Sequence, residues 1–279
     1  MKRRIAALFV LLAAVFAPQS PAQGFDHSHA AWDALLKKNV VLLQGGIASQ
    51  MRYAGMAKDR AALKAYLDTL SKVGEADFKG WSKAQQVAFL INAYNAFMVE
   101  KVLTRYPNIK SVWDFGKLFG NPFKDDFFTL FGRKSTLDAI EHETLRKPGA
   151  YDEPRVHYAV NCASVGCPML REEAYVAERL GRQLEEQTVR FLSDRSRNRY
   201  SAENARLEVS EIFRWFKEDW SSGYRGYDGK GVPITSREQF FAGHAGLLAD
   251  HPEHQQIVAA GKASIAHLDY DWSLNDVRK

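Results

Sequence analysis

The stretch at residues 82–104 constrains this chain more than any other. It opens on SKAQ, where Ser82 can accept from the Gln85 amide while the Gln85 side chain reaches back, the pattern of a capping box. The helix should end before Tyr106-Pro107, because proline disfavours helical geometry in the residue ahead of it. Its interior, VAFLINAYNAFMV over 87–99, is apolar almost all round rather than along one stripe. Such a helix has no face to give to water and has to run through the middle of a core. Its two polar residues, Asn92 and Asn95, are three apart and share a face. Buried amides need partners, so the pair either fixes neighbouring backbone or lines a cavity.

Further helices are expected over 30–38, 59–71, 136–147, 175–193, 210–220, 237–248 and 252–260. Short strand-like runs lie at 127–131, 156–160, 205–209 and 265–272. The strands are isolated and show no βαβ rhythm, which argues for an α+β fold: helices packed around a small mixed or antiparallel sheet. A 46% apolar composition suits an ordinary globular core. The expected organisation is a signal peptide at 1–22, a helical segment at 23–75 and one main domain at 76–279.

Lys2, Arg3 and Arg4 precede an unbroken apolar run at 5–17, and Ser20-Pro21-Ala22 offers small residues for cleavage. This reads as an export signal, since the run falls short of the ~20 residues of a membrane span. The expected location is periplasmic or secreted, with no membrane span after cleavage. Removing the leader lowers the net charge from +5 to +2. With no basic stripe interleaved with aromatics, nucleic acid is a poor partner. A small molecule or a peptide is the expected one. No cofactor motif and no metal-ligand spacing stands out; His27 and His29 alone are a weak metal signal.

The chemistry concentrates in RVHYAVNCASVGCP at 155–168, which holds both cysteines, Cys162 and Cys167, at C-x4-C spacing. In an oxidising compartment such a pair is first a candidate disulfide. Cys162 as a thiolate would instead be a nucleophile activated by a histidine, or half of an exchangeable redox pair. If 156–160 is a strand, His157 and Arg155 face away from Val156, Tyr158 and Val160. Cys162 then falls opposite His157, and the two meet only if the chain turns at Asn161. The other candidate base is His142, on the helix at 136–147. Beside it, Glu141 falls inside that helix's apolar stripe and needs a partner such as Arg146 or Arg155. Near the C-terminus, alternation in IAHLDYDW (265–272) turns Leu268, Tyr270 and Trp272 to the core, and His267, Asp269 and Asp271 away.

Taken together, FLINAYNA (89–96), IEH (140–142) with Leu145 and Arg146, PRVHYAVNC (154–162), IFRW (212–215) with Asp219, and DYDW (269–272) resemble the domain-of-unknown-function 547 family. Phe25 to Ser28 with Trp32 resembles the lead-in of its exported bacterial members. The resemblance carries no settled activity. It marks Asn92, Asn95, Glu141, His142, Arg155, His157, Asn161 and Cys162 as recurring. It also implies that plant relatives keep the Cys162 position while having serine at that of Cys167.

The residues thus suggest a thiol-dependent enzyme with Cys162 as nucleophile and His157 or His142 as base. Asn92, Asn95, Glu141, Arg155 and Asn161 would shape its pocket. The alternative is a non-enzymatic binding or scaffold module stapled by a Cys162–Cys167 disulfide.

Overall fold

The structure, a computed structural model, describes residues 24–116 and 120–277. The expected export signal lies outside them. The chain begins with α1 (Ala30–Asn39), a hairpin of β1 (Val40–Leu43) and β2 (Ala48–Met51), then α2 (Tyr53–Lys58), α3 (Arg60–Ser71) and α4 (Glu75–Gly80). The central helix α5 (Lys83–Leu103) follows. Its capping box forms as the sequence requires, with the Gln85 amide donating to Ser82 Oγ at 3.2 Å and the Ser82 amide to Gln85 Oε1 at 3.0 Å. Every residue from 87 to 99 is buried. Around α5 gather Trp32 and Leu36 of α1, Leu63 and Leu70 of α3, Ile140, Tyr175 and Leu184. The N-terminal helices and the helices after α5 therefore share one core.

A small hairpin, β3 (Phe128–Leu130) with β4 (Arg133–Ser135), comes next. Further on are α6 (Leu180–Ser193), β5 (Arg199–Ser201), β6 (Arg206–Ser210), α7 (Ile212–Trp215), α8 (Arg237–Gly243), α9 (Ala245–Leu248), α10 (Pro252–Ala259) and β7 (Ser264–Leu268). β5 and β6 pair antiparallel, and β6 and β7 pair parallel, making a small mixed sheet. This sheet, with α8 to α10, buries a second apolar cluster of Phe191, Val209, Phe213, Trp220 and Phe241. The architecture is α+β. Among the described residues no helix is long and apolar enough to cross a membrane.

Two local expectations change. The expected strand at 156–160 is a 3-10 helix, Pro154–Tyr158. Proline at its first position and the Glu153 side chain, which accepts from the Arg155 amide at 3.1 Å, start a turn. The amides of Ala159 and Val160 then both close on the Val156 carbonyl at 3.0 Å, so local bonds replace a strand partner. The helix expected at 136–147 is a π-helix from Ala139 to Leu145, with the Arg146 amide bonded to the Glu141 carbonyl at 2.9 Å. Such turns recur at functional sites, and this one carries Glu141 and His142.

Candidate functional site

α5 and the C-terminal tail hold the cysteine loop from opposite sides. Asn95 on α5 donates from Nδ2 to the Ala159 carbonyl (2.9 Å) and accepts the Asn161 amide at Oδ1 (2.8 Å). Asn161 Nδ2 crosses the loop to the Pro168 carbonyl (2.8 Å), and its Oδ1 accepts from the Ala163 amide (3.0 Å) and from Asn275 Nδ2 (3.2 Å). Ala163 takes a left-handed φ of 64°, which makes the turn after Cys162. The tail lies across this turn: the amides of Val165 and Gly166 donate to the carbonyls of Ser273 (2.8 Å) and Asp271 (2.7 Å). Glycine is needed at 166, because a Cβ there would sit 2.9 Å from the Asp271 nitrogen. Asn92 does the same work one turn earlier, bonding both the carbonyl and the amide of Tyr175 at 2.7 and 3.0 Å.

Both cysteines are free thiols, so the expected Cys162–Cys167 disulfide is not present. The two sulfurs are used differently. Cys167 is buried, and its Sγ accepts the Cys162 amide at 3.0 Å. Cys162 Sγ turns to Ser164 Oγ at 2.9 Å and Tyr270 OH at 3.1 Å. Burial pushes the Cys162 thiol up, but hydrogen bonds from Cys167, Ser164 and Tyr270 outweigh it and bring the thiol down to about 7. Burial and the neighbouring Cys162 push Cys167 well above the usual thiol range. The pair thus divides into one ionisable sulfur and one donor.

A second polar group is built around His157, on the 3-10 helix Pro154–Tyr158. His157 is buried and stacks on Phe216, with ring centroids 4.4 Å apart. Its Nε2 is 2.7 Å from Asp219 Oδ2. Burial lowers the His157 pKa against the pull of Asp219, while the hydrogen bonds from His157 and Arg146 overcome burial and hold Asp219 below the usual carboxylate range. The pair is therefore a neutral imidazole donating Nε2–H to a carboxylate. Arg146 also grips Asp219, through Nε to Oδ2 (2.7 Å) and Nη2 to Oδ1 (3.3 Å), and its guanidinium lies 4.4 Å over the Phe216 ring. Its Nη1 donates to His142 Nδ1 at 2.8 Å. Because arginine can only donate, His142 must carry its proton on Nε2.

These groups line one cavity of about 380 Å³, walled by Trp113, Phe123, Trp215, Phe216, Tyr270 and Trp272. Cys162, Cys167, Glu141, His142, His157 and Asp138 all reach it. Cys162 and His157 line this common cavity, although neither histidine is hydrogen-bonded to the thiol. Four of the sequence candidates lie elsewhere. Asn92, Asn95 and Asn161 spend their amides on backbone behind the wall. Arg155 turns away from Glu141 to Glu153 (2.7 Å) and Glu185 (3.5 Å), and lines a separate cavity of about 650 Å³ with Tyr227.

Ser164, Tyr270, Asp219 and the aromatic wall were not among the candidates. Ser164 follows Cys162 by two residues, and DYDW carried Tyr270 and Trp272, but only the fold shows that they face the sulfur. Among the described residues no group of three or more His, Cys, Asp or Glu side chains is placed to hold a metal ion. His29 is instead bonded through Nδ1 to Tyr66 OH at 2.7 Å.

No curated protein and no solved structure matches the chain. Residues 78–192 run from the end of α4 through α5, the π-helix and the cysteine loop almost to the end of α6, and the later blocks at 212–219 and 269–272 fall beyond them. Over this stretch, residues 78–192, the chain matches the family described as Protein of unknown function, DUF547.

Proposed function

We propose that the chain is a thiol-dependent enzyme in which the Cys162 thiolate attacks the carbonyl of an acyl substrate held in the aromatic cavity. A thioester forms as the bond to the leaving group breaks, and the leaving group departs with a proton drawn from water. A second water then hydrolyses the thioester and restores the thiol. The observation that carries this reading is the Cys162 thiol itself, lining the cavity with its pKa brought down to about 7 by three hydrogen-bond partners. A thiol that ionises near neutral pH needs no base bonded to it. The histidines are then free to act on the substrate. His142, with its proton on Nε2, is a donor toward the oxygen of the attacked group. His157, with its Nε2 proton given to Asp219, offers Nδ1 as an acceptor. The rival binding module rests on a disulfide, and no specific observation favours it.

Export belongs to the same proposal and sets a condition on it, because activity in an oxidising compartment requires Cys162 to stay reduced. The test is labelling with iodoacetamide at neutral pH, followed by incubation with aryl thioesters and mass spectrometry of the peptide carrying residue 162. We expect labelling at Cys162 well above that of the same peptide unfolded, a trapped acyl adduct there, and neither in Cys162→Ala. Labelling no faster than the unfolded control overturns the proposal.

A further inference from the structure

The cavity contains an arrangement that the nucleophile does not explain. His157 Nδ1 and Glu141 Oε1 face each other at 4.0 Å. With the Nε2 proton committed to Asp219, Nδ1 presents a lone pair, so an acceptor faces the carboxylate across the gap. Both belong to groups held out of bulk water, the His157 side chain 1% and the Glu141 side chain 12% exposed. His157 lines the cavity, so a ligand entering there can bring Nδ1 a proton donor.

The charges around the gap indicate what kind of donor. Asp219 is neutralised by Arg146. Asp138 and Glu141 are not: among the described residues their ion-pair contacts are imidazoles, His142 Nε2 at 3.9 Å and His157 Nδ1 at 4.0 Å. No lysine or arginine appears among the described residues lining the cavity. Tyr94 hydrogen-bonds Glu141 but is held in its neutral form by burial and by that carboxylate, so it brings the carboxylate no positive charge. The rest of the wall is aromatic, with Trp215 and Trp272 stacked 5.7 Å apart and Trp113 set edge-on to Trp272 at 5.2 Å. Aromatic faces and unpaired carboxylates both favour a cation, and the acceptor pair requires that cation to carry N–H.

We propose that the cavity recognises a protonated amine, seated between His157 Nδ1 and Glu141 Oε1 against the aromatic wall. Resting on the reading of Cys162 as nucleophile, this makes the substrate an amine-bearing carbonyl compound. It also makes Glu141 and His157 the residues that select it. A neutral alcohol would satisfy one acceptor but leave the carboxylate charge unmet. A quaternary ammonium would meet the charge but leave the imidazole unpaired.

The test uses Cys162→Ala protein, so that binding is read without chemistry. Benzylamine, benzyl alcohol and benzyltrimethylammonium are titrated at neutral pH, following the fluorescence of the cavity tryptophans and confirming by calorimetry. Benzylamine should bind at least about tenfold more tightly than either analogue, as expected for a charge-assisted hydrogen bond in a partly buried site. Glu141→Gln should remove most of that advantage and leave benzyl alcohol unaffected. Equal affinity for all three ligands overturns the proposal without any variant having to fold, and so does an amine preference that survives in folded Glu141→Gln. Failure of iodoacetamide labelling in the parent protein would count against the nucleophile alone, so the two readings fall separately.

Discussion

At the scale of single residues the lowered pKa of the Cys162 thiol is set by hydrogen bonds that the sequence disperses. Ser164 is two positions away, Cys167 five, and Tyr270 comes from the far end of the chain. His157 is the histidine nearest Cys162 in sequence, but the donors that stabilise the thiolate are a hydroxyl, a phenol and a second thiol. Such donors carry no short-range signature, because only the fold aligns them. Removing one should destabilise the thiolate. Tyr270→Phe, which keeps the ring packed on Trp215 and Trp272, should shift the pH midpoint of Cys162 alkylation upward from about 7 by roughly one unit. Alkylation rates measured across the neutral range check this. A midpoint unchanged in the variant would mean that Tyr270 only packs.

At the scale of elements, much of the molecule was legible. The capping box and all-round apolar surface of α5 placed it at the centre, and the alternation in IAHLDYDW aimed Tyr270 and Trp272 inward. The 3-10 turn at Pro154–Tyr158 was not legible, because Val156, Tyr158 and Val160 alternate like a strand, while the absence of a partner strand among the described residues leaves no local signal. The π-helix at Ala139–Leu145 was hidden for a different reason: one residue more per turn leaves the apolar pattern almost helical while re-aiming Glu141 and His142. Asn92 and Asn95 were correctly placed on one face, yet what they hold is backbone. That role has a measurable consequence. Asn95→Ala would strand the buried Asn161 amide and the Ala159 carbonyl, costing about 2–5 kcal/mol of stability. It would also loosen the loop that aims Cys162. Chemical denaturation should show the loss, and a change below about 0.5 kcal/mol would show that the loop finds other partners.

At the scale of the whole molecule, neutral imidazoles are built into the core and make stability depend on pH. His29, at the start of α1, lies between Tyr66 of α3 and Phe89 of α5, and burial lowers its pKa to about 3. Burial lowers that of His157 as well. For both, the folded value lies below the unfolded one, so the unfolded chain takes up the proton first as pH falls. Their contribution is complete above the unfolded value near 6.5 and is lost as pH drops toward the folded value. For His29 alone the loss reaches about 2 kcal/mol at about pH 5, and His157 adds in the same direction. The melting temperature should therefore be level above neutrality and fall steadily through the mildly acidic range, before carboxylates begin to protonate. His29 has a left-handed φ of 50°, which asparagine tolerates well. His29→Asn should thus lower the melting temperature at neutral pH, through loss of the Tyr66 bond, but flatten its acid slope. A slope as steep in the variant as in the parent would assign the acid sensitivity to other groups. The two imidazoles can then be separated, because Glu141→Gln removes the carboxylate 4.0 Å from His157 Nδ1 and leaves His29 untouched. It should steepen the part of the slope that His29→Asn leaves behind.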